Sequence, residues 1–221
     1  MIEYLSSLFT PTILLYLLRG FAITLRVAAI AIVLSILFGT ILGLIRSYAP
    51  RPLRKIAGAY IEWFRNTPNL LWVMVCFIAA PLPSDWARCT MAYVLFTSAM
   101  MAEIVRGGLN AIPKGQFEAC RALGLNKLQT MRKVIIPQAA LVAVPSLGNS
   151  FISLLKDTSL VSTITVAEIM MTAKSIIAIK FQPLLFYCEA AVVYLIFSTV
   201  LTQLQGMLEK KLGKHLVDSR A

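Results

Sequence analysis

The chain has 221 residues, of which 58% are apolar and only 14% are charged. A soluble domain of this length carries nearly twice that share of charge, so the composition excludes an ordinary water-soluble protein and indicates a membrane protein. The formal net charge is +11. In a membrane protein such an excess is typical of cytoplasmic loops beside anionic lipid, and the basic, aromatic-rich soluble face of a nucleic-acid-binding protein is absent from the sequence.

Five apolar stretches approach the length of about 20 residues that a helix needs to cross a bilayer. Residues 1–20, before the first stretch, contain Pro11 and are typical of an amphipathic segment lying in the membrane interface. The sequence therefore predicts an all-α membrane protein with five transmembrane helices plus an N-terminal interfacial helix. The predicted spans are Phe21–Ile45, Tyr60–Ala80, Trp86–Val105, Ile135–Leu155 and Pro183–Leu204.

Arginine and lysine residues concentrate after the first, third and last predicted spans, and the alternate loops hold few cations. Because cytoplasmic loops carry the basic excess, this bias predicts that the N-terminus is outside and the C-terminus inside. We predict one membrane domain over residues 21–208, followed by a basic cytoplasmic tail over residues 209–221. The single histidine, His215, lies in this tail, which argues against a histidine-based metal or catalytic site.

The cytoplasmic loop of residues 107–137 is patterned as two short helices. Gly115 follows Pro113 and opens the first helix, and Gly124 ends it because glycine adopts the left-handed conformation that a helix end often needs. Asn126 then caps a second helix that we predict to run on to Val134. Spacing alone is equally compatible with a helical hairpin that only packs beneath the membrane.

The same loop resembles the EAA motif of importer permeases, in which EAA is followed by three residues, G, nine residues and I-x-L-P. Every spacing of that motif is kept here. The segments AEIVRGGLNAIPKGQFEA, PSLGNSFISLLKDTSLVSTITVAEI and YIEWFRNTP are also similar to the polar amino-acid branch of these permeases, and the resemblance covers roughly residues 15–210. The residues at the motif positions are Glu118-Ala119-Cys120, Gly124, Val134, Ile136 and Pro137, with Cys120 in place of the second alanine, Val134 of the isoleucine and Ile136 of the leucine.

The resemblance implies the permease subunit of a type I ATP-binding-cassette importer in the bacterial inner membrane, carrying a polar or charged amino acid. The implied partners are a second permease copy or paralogous permease, two ATPase subunits and a periplasmic or lipid-anchored amino-acid-binding protein. The chain has no G-x-x-x-x-G-K-[ST] loop, so ATP and magnesium are expected on the ATPase, with no cofactor or enzymatic activity in this chain. The implied ATPase-coupling residues are Gln116, Phe117, Glu118, Ala119, Cys120, Gly124 and Pro137.

A stripe of polar residues recurs at steps of three and four along the fourth predicted span, beside a break expected at Pro145 and Gly148. Residues at this spacing share one helix face. The stripe is either part of a substrate pathway or a set of interhelical hydrogen-bonding groups at a permease–permease interface. Its members are Ser146, Asn149, Ser153 and Lys156 or Asp157.

Other charged residues fall within or beside the predicted spans. Glu62 and Arg65 are three residues apart, as are Glu103 and Arg106, so each pair is predicted to neutralise itself along its own helix. Glu103 is also a candidate substrate-pathway residue. Glu189 has no partner nearby in the sequence, and we predict that it adapts the pathway to a particular substrate.

A gradient-driven secondary transporter or channel is the alternative function, because it would explain buried charges without an ATPase. Five spans without an inverted repeat fit that class poorly, and the patterned cytoplasmic loop would have no purpose in it. A membrane-embedded enzyme is a third class, for which the sequence offers no catalytic set.

Overall fold

The structure is a computed structural model that describes residues 11–218. Predictions about residues 1–10 and 219–221, and about the side chain of His215, lie outside the described residues. Within the described range every regular element is helical, which confirms the all-α class. The elements are α1 (Pro11–Tyr48), α2 (Arg51–Arg65), α3 (Asn69–Ala79), α4 (Asp85–Asn110), α5 (Lys114–Ala122), α6 (Lys127–Thr130), a π-helical turn (Met131–Ile135), α7 (Ile136–Asp157), a 3₁₀ helix (Thr158–Ile164), α8 (Ile169–Lys180) and α9 (Pro183–Asp218).

Four helical stretches in the described part of the chain are long and apolar enough to cross a membrane, judged by length and composition. They contain the first, third, fourth and fifth of the predicted spans, so these four predictions are confirmed. The stretches are Leu15–Tyr48, Asp85–Asn110, Lys127–Ile164 and Pro183–Lys211.

The second predicted span, Tyr60–Ala80, is not one helix. It is split between α2 and α3, because Pro68 lacks a backbone N–H and its ring disfavours the helical conformation in Thr67. The hydroxyl of Thr67 donates a hydrogen bond to the Trp63 carbonyl at 2.8 Å, which satisfies one of the last acceptors of α2. The 11 residues of α3 rise about 16 Å, roughly half of a bilayer core, so a count of five spanning helices is not confirmed.

The N-terminal segment also differs from its prediction as a separate helix. Helix α1 continues without interruption from Pro11 to Tyr48. A proline in the first helical turn removes only an N–H that has no helical acceptor, and no later residue of α1 is a proline. The placement of residues 11–20 in the membrane interface stays a prediction.

Helix α7 continues through Pro145 and Gly148, where the sequence suggested a break. A proline inside a helix removes its own N–H, so the carbonyl four residues earlier loses its donor while the rest of the ladder remains. Gln205 of α9 donates from Nε2 to the Pro145 carbonyl at 3.0 Å, which adds a hydrogen bond at this weak point. Gly148 makes room for that side chain, because a Cβ there would lie 2.5 Å from the Gln205 Cδ.

The described chain divides into two compact units, the first of which comprises residues 11–33, 69–94 and 151–201. Its apolar core is formed by side chains from α1, α8 and α9. Phe21 and Phe197 stack beside this core with ring centroids 3.5 Å apart. The buried core residues are Leu17, Ile169, Ala173, Ala190 and Val193.

The second unit comprises residues 34–68, 95–150 and 202–218. Its core consists of two apolar clusters. One joins α1, α2 and α4, and the other joins the end of α4 to the π-helical turn and the start of α7. The buried residues are Leu42, Ala57, Ile61 and Ala102 in the first cluster and Leu109, Ile112, Ile135 and Ala139 in the second.

Gly20 is the point of closest approach between α1 and the start of α8 within the first unit. A Cβ at this position would lie 2.6 Å from the Thr172 hydroxyl and 3.0 Å from backbone atoms of Glu168 and Ile169. A flexible side chain could move aside, but the two backbone atoms belong to a helix end and move only with it. The packing of the first unit therefore requires glycine here.

We expect Gly20→Ala to lower the free energy of unfolding by about 1–3 kcal/mol, because an overpacked contact must be relieved by backbone shifts. Thermal unfolding of the purified protein in detergent measures the effect. Gly107→Ala in α4 is the matched control, since no atom lies within 4 Å of a Cβ there, and helix propensity favours alanine by up to about 1 kcal/mol. Equal losses in both variants would contradict the assigned contact.

Candidate functional site

Gly124 ends α5 in a Schellman turn. Its φ is +73°, in the left-handed region that favours glycine. The Gly124 N–H donates to the Arg121 carbonyl at 2.9 Å, and the Leu125 N–H donates to the Cys120 carbonyl at 3.0 Å. These two hydrogen bonds satisfy the last carbonyls of α5 and fix the direction in which the chain leaves it. The predicted role of Gly124 as a helix terminator is confirmed.

Asn126 begins the next helix with a reciprocal cap. The Gln129 N–H donates to Asn126 Oδ1 at 2.9 Å, and the Asn126 N–H donates to Gln129 Oε1 at 3.0 Å. This capping box satisfies two backbone donors at once and confirms the predicted N-cap. Together, the Schellman turn and the capping box hold residues 123–126, which we call the coupling turn, in one conformation.

The helix that Asn126 caps is longer than predicted. It does not end near Val134 but continues as one helical stretch, Lys127–Ile164. The extension passes through the π-helical turn, where the Ile136 N–H donates to the Met131 carbonyl five residues back. The wider turn lets the helix reach Pro137, whose ring would otherwise press against the carbonyl four residues earlier.

Most of the predicted coupling residues are exposed. Two large apolar side chains are also exposed: Leu123, within the coupling turn, is 78% exposed, and Leu128, just beyond it, is 75% exposed. Phe117 is half-buried against the second apolar cluster of its unit, and Cys120 is only 3% exposed. The exposed predicted residues are Gln116, Glu118, Ala119, Gly124 and Pro137.

The charged residues of the second unit pair across helices, which differs from the predicted pairing along each helix. Arg65 lies 3.7 Å from Glu103 of α4, and Glu62 lies 3.4 Å from Arg46 of α1, so the predicted Glu62–Arg65 pair is wrong. Glu62 and Arg65 are each paired with a residue of a neighbouring helix instead of with one another. Arg106 does pair with Glu103, at 2.6 Å, as predicted.

Two predicted pathway residues, Glu103 and Ser146, line one cavity of about 370 Å³ in the second unit. Arg65 lines this cavity too, together with the small and apolar residues Gly108 and Val142. The cavity therefore combines an ion pair, a hydroxyl and apolar walls, which is a surface that suits a small polar solute.

The structure separates the remaining members of the polar stripe. Asn149, in the second unit, accepts a hydrogen bond from Gln205 Nε2 at 3.2 Å. In the first unit, Ser153 and Lys156 are exposed, and Asp157 is half-buried with its carbonyl accepting from the Tyr93 hydroxyl at 2.7 Å. The stripe thus contains residues that pack helices together as well as residues that remain open.

Glu189 lies on the buried face of α9 in the first unit and is 5% exposed. Among the described residues neither of its carboxylate oxygens has a hydrogen-bond partner. A buried carboxylate without hydrogen-bond partners is costly, so a partner from elsewhere would stabilise it. The structure does not bring Glu189 together with Glu103 in one unit.

Sequence reasoning missed Glu168, which caps α8. Its carboxylate accepts from the N–H groups of Met170 and Met171 at 2.8 and 2.7 Å and from the Tyr194 hydroxyl at 2.9 Å. Burial raises the pKa of this carboxyl group, and the hydrogen bonds oppose that effect. An acidic residue directly before an apolar helical segment is the signal that could have found it. Gln205, also missed, gives no such local signal.

We expect Gly124→Ala to lower the free energy of unfolding by about 1–2 kcal/mol, because a Cβ in the left-handed region meets the following carbonyl oxygen. Thermal unfolding in detergent measures the loss. Gly115→Ala, in the same helix α5 and with no atom within 4 Å of its Cβ, is expected to leave stability unchanged or to raise it. A Gly124→Ala protein as stable as the Gly115→Ala protein would contradict the requirement for the left-handed conformation.

The chain is similar to bacterial transport-system permease proteins over most of its length. It is 37% identical over 193 residues to the L-cystine transport system permease protein TcyB of Bacillus subtilis (strain 168), covering 83% of this chain and 82% of the relative. It is 42% identical over 168 residues to the probable glutamine ABC transporter permease protein GlnP of the same organism, covering 74% of this chain and 77% of the relative.

The fold is similar to that of a solved amino acid ABC transporter crystallised with histidines. The TM-score is 0.84 at 30% sequence identity, covering 89% of this chain and 94% of that chain. Residues 35–214 match the protein family described as binding-protein-dependent transport system inner membrane component. The chain therefore belongs to this family of inner-membrane permease components of ATP-binding-cassette transporters.

Proposed function

We propose that this chain forms the translocation pathway of an ATP-driven importer for a polar amino acid. In this proposal it receives substrate from an extracytoplasmic binding protein and is driven by two separate ATPase subunits. The observation that carries the proposal is the coupling turn, which holds an exposed apolar pair in one conformation within the loop that resembles the EAA motif.

The coupling turn has the properties of a docking surface. Leu123 within it and Leu128 just beyond it are exposed, among exposed cations such as Arg121 and Lys127. Large apolar side chains on an aqueous loop favour a protein partner that covers them. Glu118 and Ala119 lie on the exposed side of α5 and supply, respectively, a hydrogen-bond acceptor and a point of close approach. We assign this surface to a groove of the ATPase.

The coupling turn is also joined directly to the candidate pathway. The capping box starts the continuous helical stretch Lys127–Ile164, which includes Ser146 and Asn149. In this proposal the helical stretch moves as one rigid body. Displacement of the coupling turn by the ATPase therefore moves Ser146 and Asn149 with it. Nucleotide binding and hydrolysis then shift the population between differently exposed states of the pathway.

The pathway is proposed to pass the cavity that Glu103, Arg65 and Ser146 line. Glu103 is held by Arg65 from another helix at 3.7 Å and by Arg106 from its own helix at 2.6 Å. The longer, interhelical contact is the weaker of the two. Rearrangement of that contact would change the wall of the cavity without removing the carboxylate's other partner.

A dimeric permease is supported by a charge that its own chain leaves exposed. Arg26 lies in the candidate span Leu15–Tyr48, is exposed and has no ion-pair partner among the described residues. Exposure of an arginine to lipid at this position costs free energy that water or a second protein chain would remove. We propose a second permease, identical or paralogous, as the partner.

Orientation and substrate follow from charge and from the relatives. The exposed basic residues near the coupling turn favour a cytoplasmic location for it, with the N-terminus outside and the C-terminus inside. The relatives named for L-cystine and glutamine support a polar amino acid as the substrate. The basic residues of the proposed cytoplasmic loops are Arg46, Arg51, Arg54 and Lys55, then Arg106, Lys114, Arg121, Lys127, Arg132 and Lys133.

The coupling proposal is tested by ATP hydrolysis in the reconstituted complex with binding protein and either cystine or glutamine. We expect one amino acid to stimulate hydrolysis, and Gly124→Asp to weaken ATPase association at least about tenfold by placing a charge in a desolvated contact. Gly124→Asn is the matched control, because asparagine also tolerates the left-handed conformation but carries no charge. If no ATPase associates and Gly124→Asp changes nothing, the gradient-driven alternative is favoured.

The pathway proposal is tested by replacing Ser146 with cysteine in a Cys188→Ser background, since Cys188 is the exposed native cysteine among the described residues. We expect a hydrophilic thiol reagent to modify the new cysteine, and substrate with ATP to change the rate at least severalfold. Leu195→Cys, exposed in an apolar part of α9, is the control for a lipid-facing position. Equal rates at both positions, unaffected by substrate, would exclude Ser146 from an aqueous pathway.

A further inference from the structure

A second cavity, of about 530 Å³, lies among α1, α2 and α4 of the second unit. Four arginines and two glutamates line it, leaving an excess of two positive charges. Cavities lined by several guanidinium groups suit phosphate, because each group presents several N–H donors in a planar array. The lining residues are Arg46, Arg54, Ile61, Glu62, Arg65, Glu103 and Arg106.

The two carboxylates do not neutralise this cavity. Glu103 is engaged by Arg106 and Arg65, and Glu62 is paired with Arg46 at 3.4 Å. Arg54 donates from one nitrogen to the Ala49 carbonyl at 3.2 Å, a neutral acceptor, so neither carboxylate balances its positive charge. Arg46 and Arg54 both keep spare N–H donors for an anion.

Arg46 is held in place by the backbone of α2. Its guanidinium lies over Gly58, where a Cβ would collide with it, and donates to the Arg54 carbonyl at 3.3 Å. A positioned arginine loses less side-chain entropy when it binds an anion than a freely moving one. Because Gly58 has no side chain, the Arg46 guanidinium can lie directly against the backbone of α2.

Helix α2 is amphipathic in a way that suits the membrane interface. Leu53, Ile56 and Trp63 are exposed large apolar residues that recur on one side of the helix. Arg51, Arg54 and Lys55 are exposed on its other side. A helix with an exposed apolar face containing tryptophan and a basic opposite face lies at the boundary between acyl chains and headgroups. This location brings the cavity to the level of lipid phosphates.

We propose that the cavity beside Arg46 and Arg54 binds the phosphate of an anionic phospholipid. Its excess positive charge distinguishes anionic lipids from zwitterionic ones, and the apolar face of α2 borders the acyl chains of the same leaflet. A free phosphate ion shares the headgroup chemistry but gains nothing from that apolar face. The cavity and the adjacent apolar face together therefore favour a phospholipid over a free phosphate ion as the ligand.

The test measures lipid retention by the purified permease complex, using native mass spectrometry after exposure to equal amounts of phosphatidylglycerol and phosphatidylcholine. The wild type is expected to retain phosphatidylglycerol preferentially. Arg46→Gln is expected to reduce that retention about tenfold by removing a charge-assisted hydrogen bond. Gly58→Ala is expected to act in the same direction without changing the net charge, because the new Cβ displaces Arg46.

Lys210→Gln is the matched control, because it removes one exposed positive charge outside the cavity. Its retention of phosphatidylglycerol should equal that of the wild type. The proposal is overturned if the wild type retains both lipids equally, or if Lys210→Gln loses as much as Arg46→Gln. Displacement of phosphatidylglycerol by inorganic phosphate at matched concentration would also overturn it, by identifying a site for the free ion. If Gly58→Ala does not fold, the comparison of phosphatidylglycerol retention between Arg46→Gln and Lys210→Gln tests the proposal on its own.

Discussion

A bilayer core offers no water to backbone polar groups, and this constraint governs the described chain. Each long helix satisfies its own N–H and carbonyl groups, so exceptions are confined to places where another group can replace the lost partner. Thr67 supplies such a group where Pro68 divides α2 from α3. Gln205 adds a hydrogen bond to the Pro145 carbonyl, although the carbonyl that loses its donor to this proline is that of Leu141. Side chains from the same or another helix therefore bond to the backbone at or beside both prolines.

Charged side chains in the second unit follow a related rule. Glu103 is shared by two arginines, and Arg46 joins Glu62 across the gap between α1 and α2. Partly exposed pairs of this kind contribute little to stability individually, so their importance lies in fixing which helices are neighbours. Arg65 and Glu103 line both of the cavities described above, so a single ion pair contributes to the walls of two cavities with different chemistry.

Local chemistry explains what the sequence could predict. Four spans follow from their apolar composition and length, and the coupling turn follows from Gly124 and Asn126, whose effects act within four residues. The failures are of another kind. The apolar run around α3 concealed the effect of Pro68, and the pairing of Glu62 depends on Arg46, which is 16 residues away. The contact of Gln205 with Pro145 spans 60 residues and depends on tertiary packing that no local pattern encodes.

The π-helical turn at Met131–Ile135 has a consequence for how the helix after it is oriented. A π-turn accommodates one residue more than an α-turn, so each later side chain is rotated by about 100° from where an uninterrupted α-helix would carry it. The π-turn thus sets the direction in which Ser146 points about the helix axis relative to the coupling turn. A homologous chain with one residue fewer here would form an ordinary α-turn and still present the same downstream side chains in the same direction, so the π-turn absorbs a one-residue difference in length.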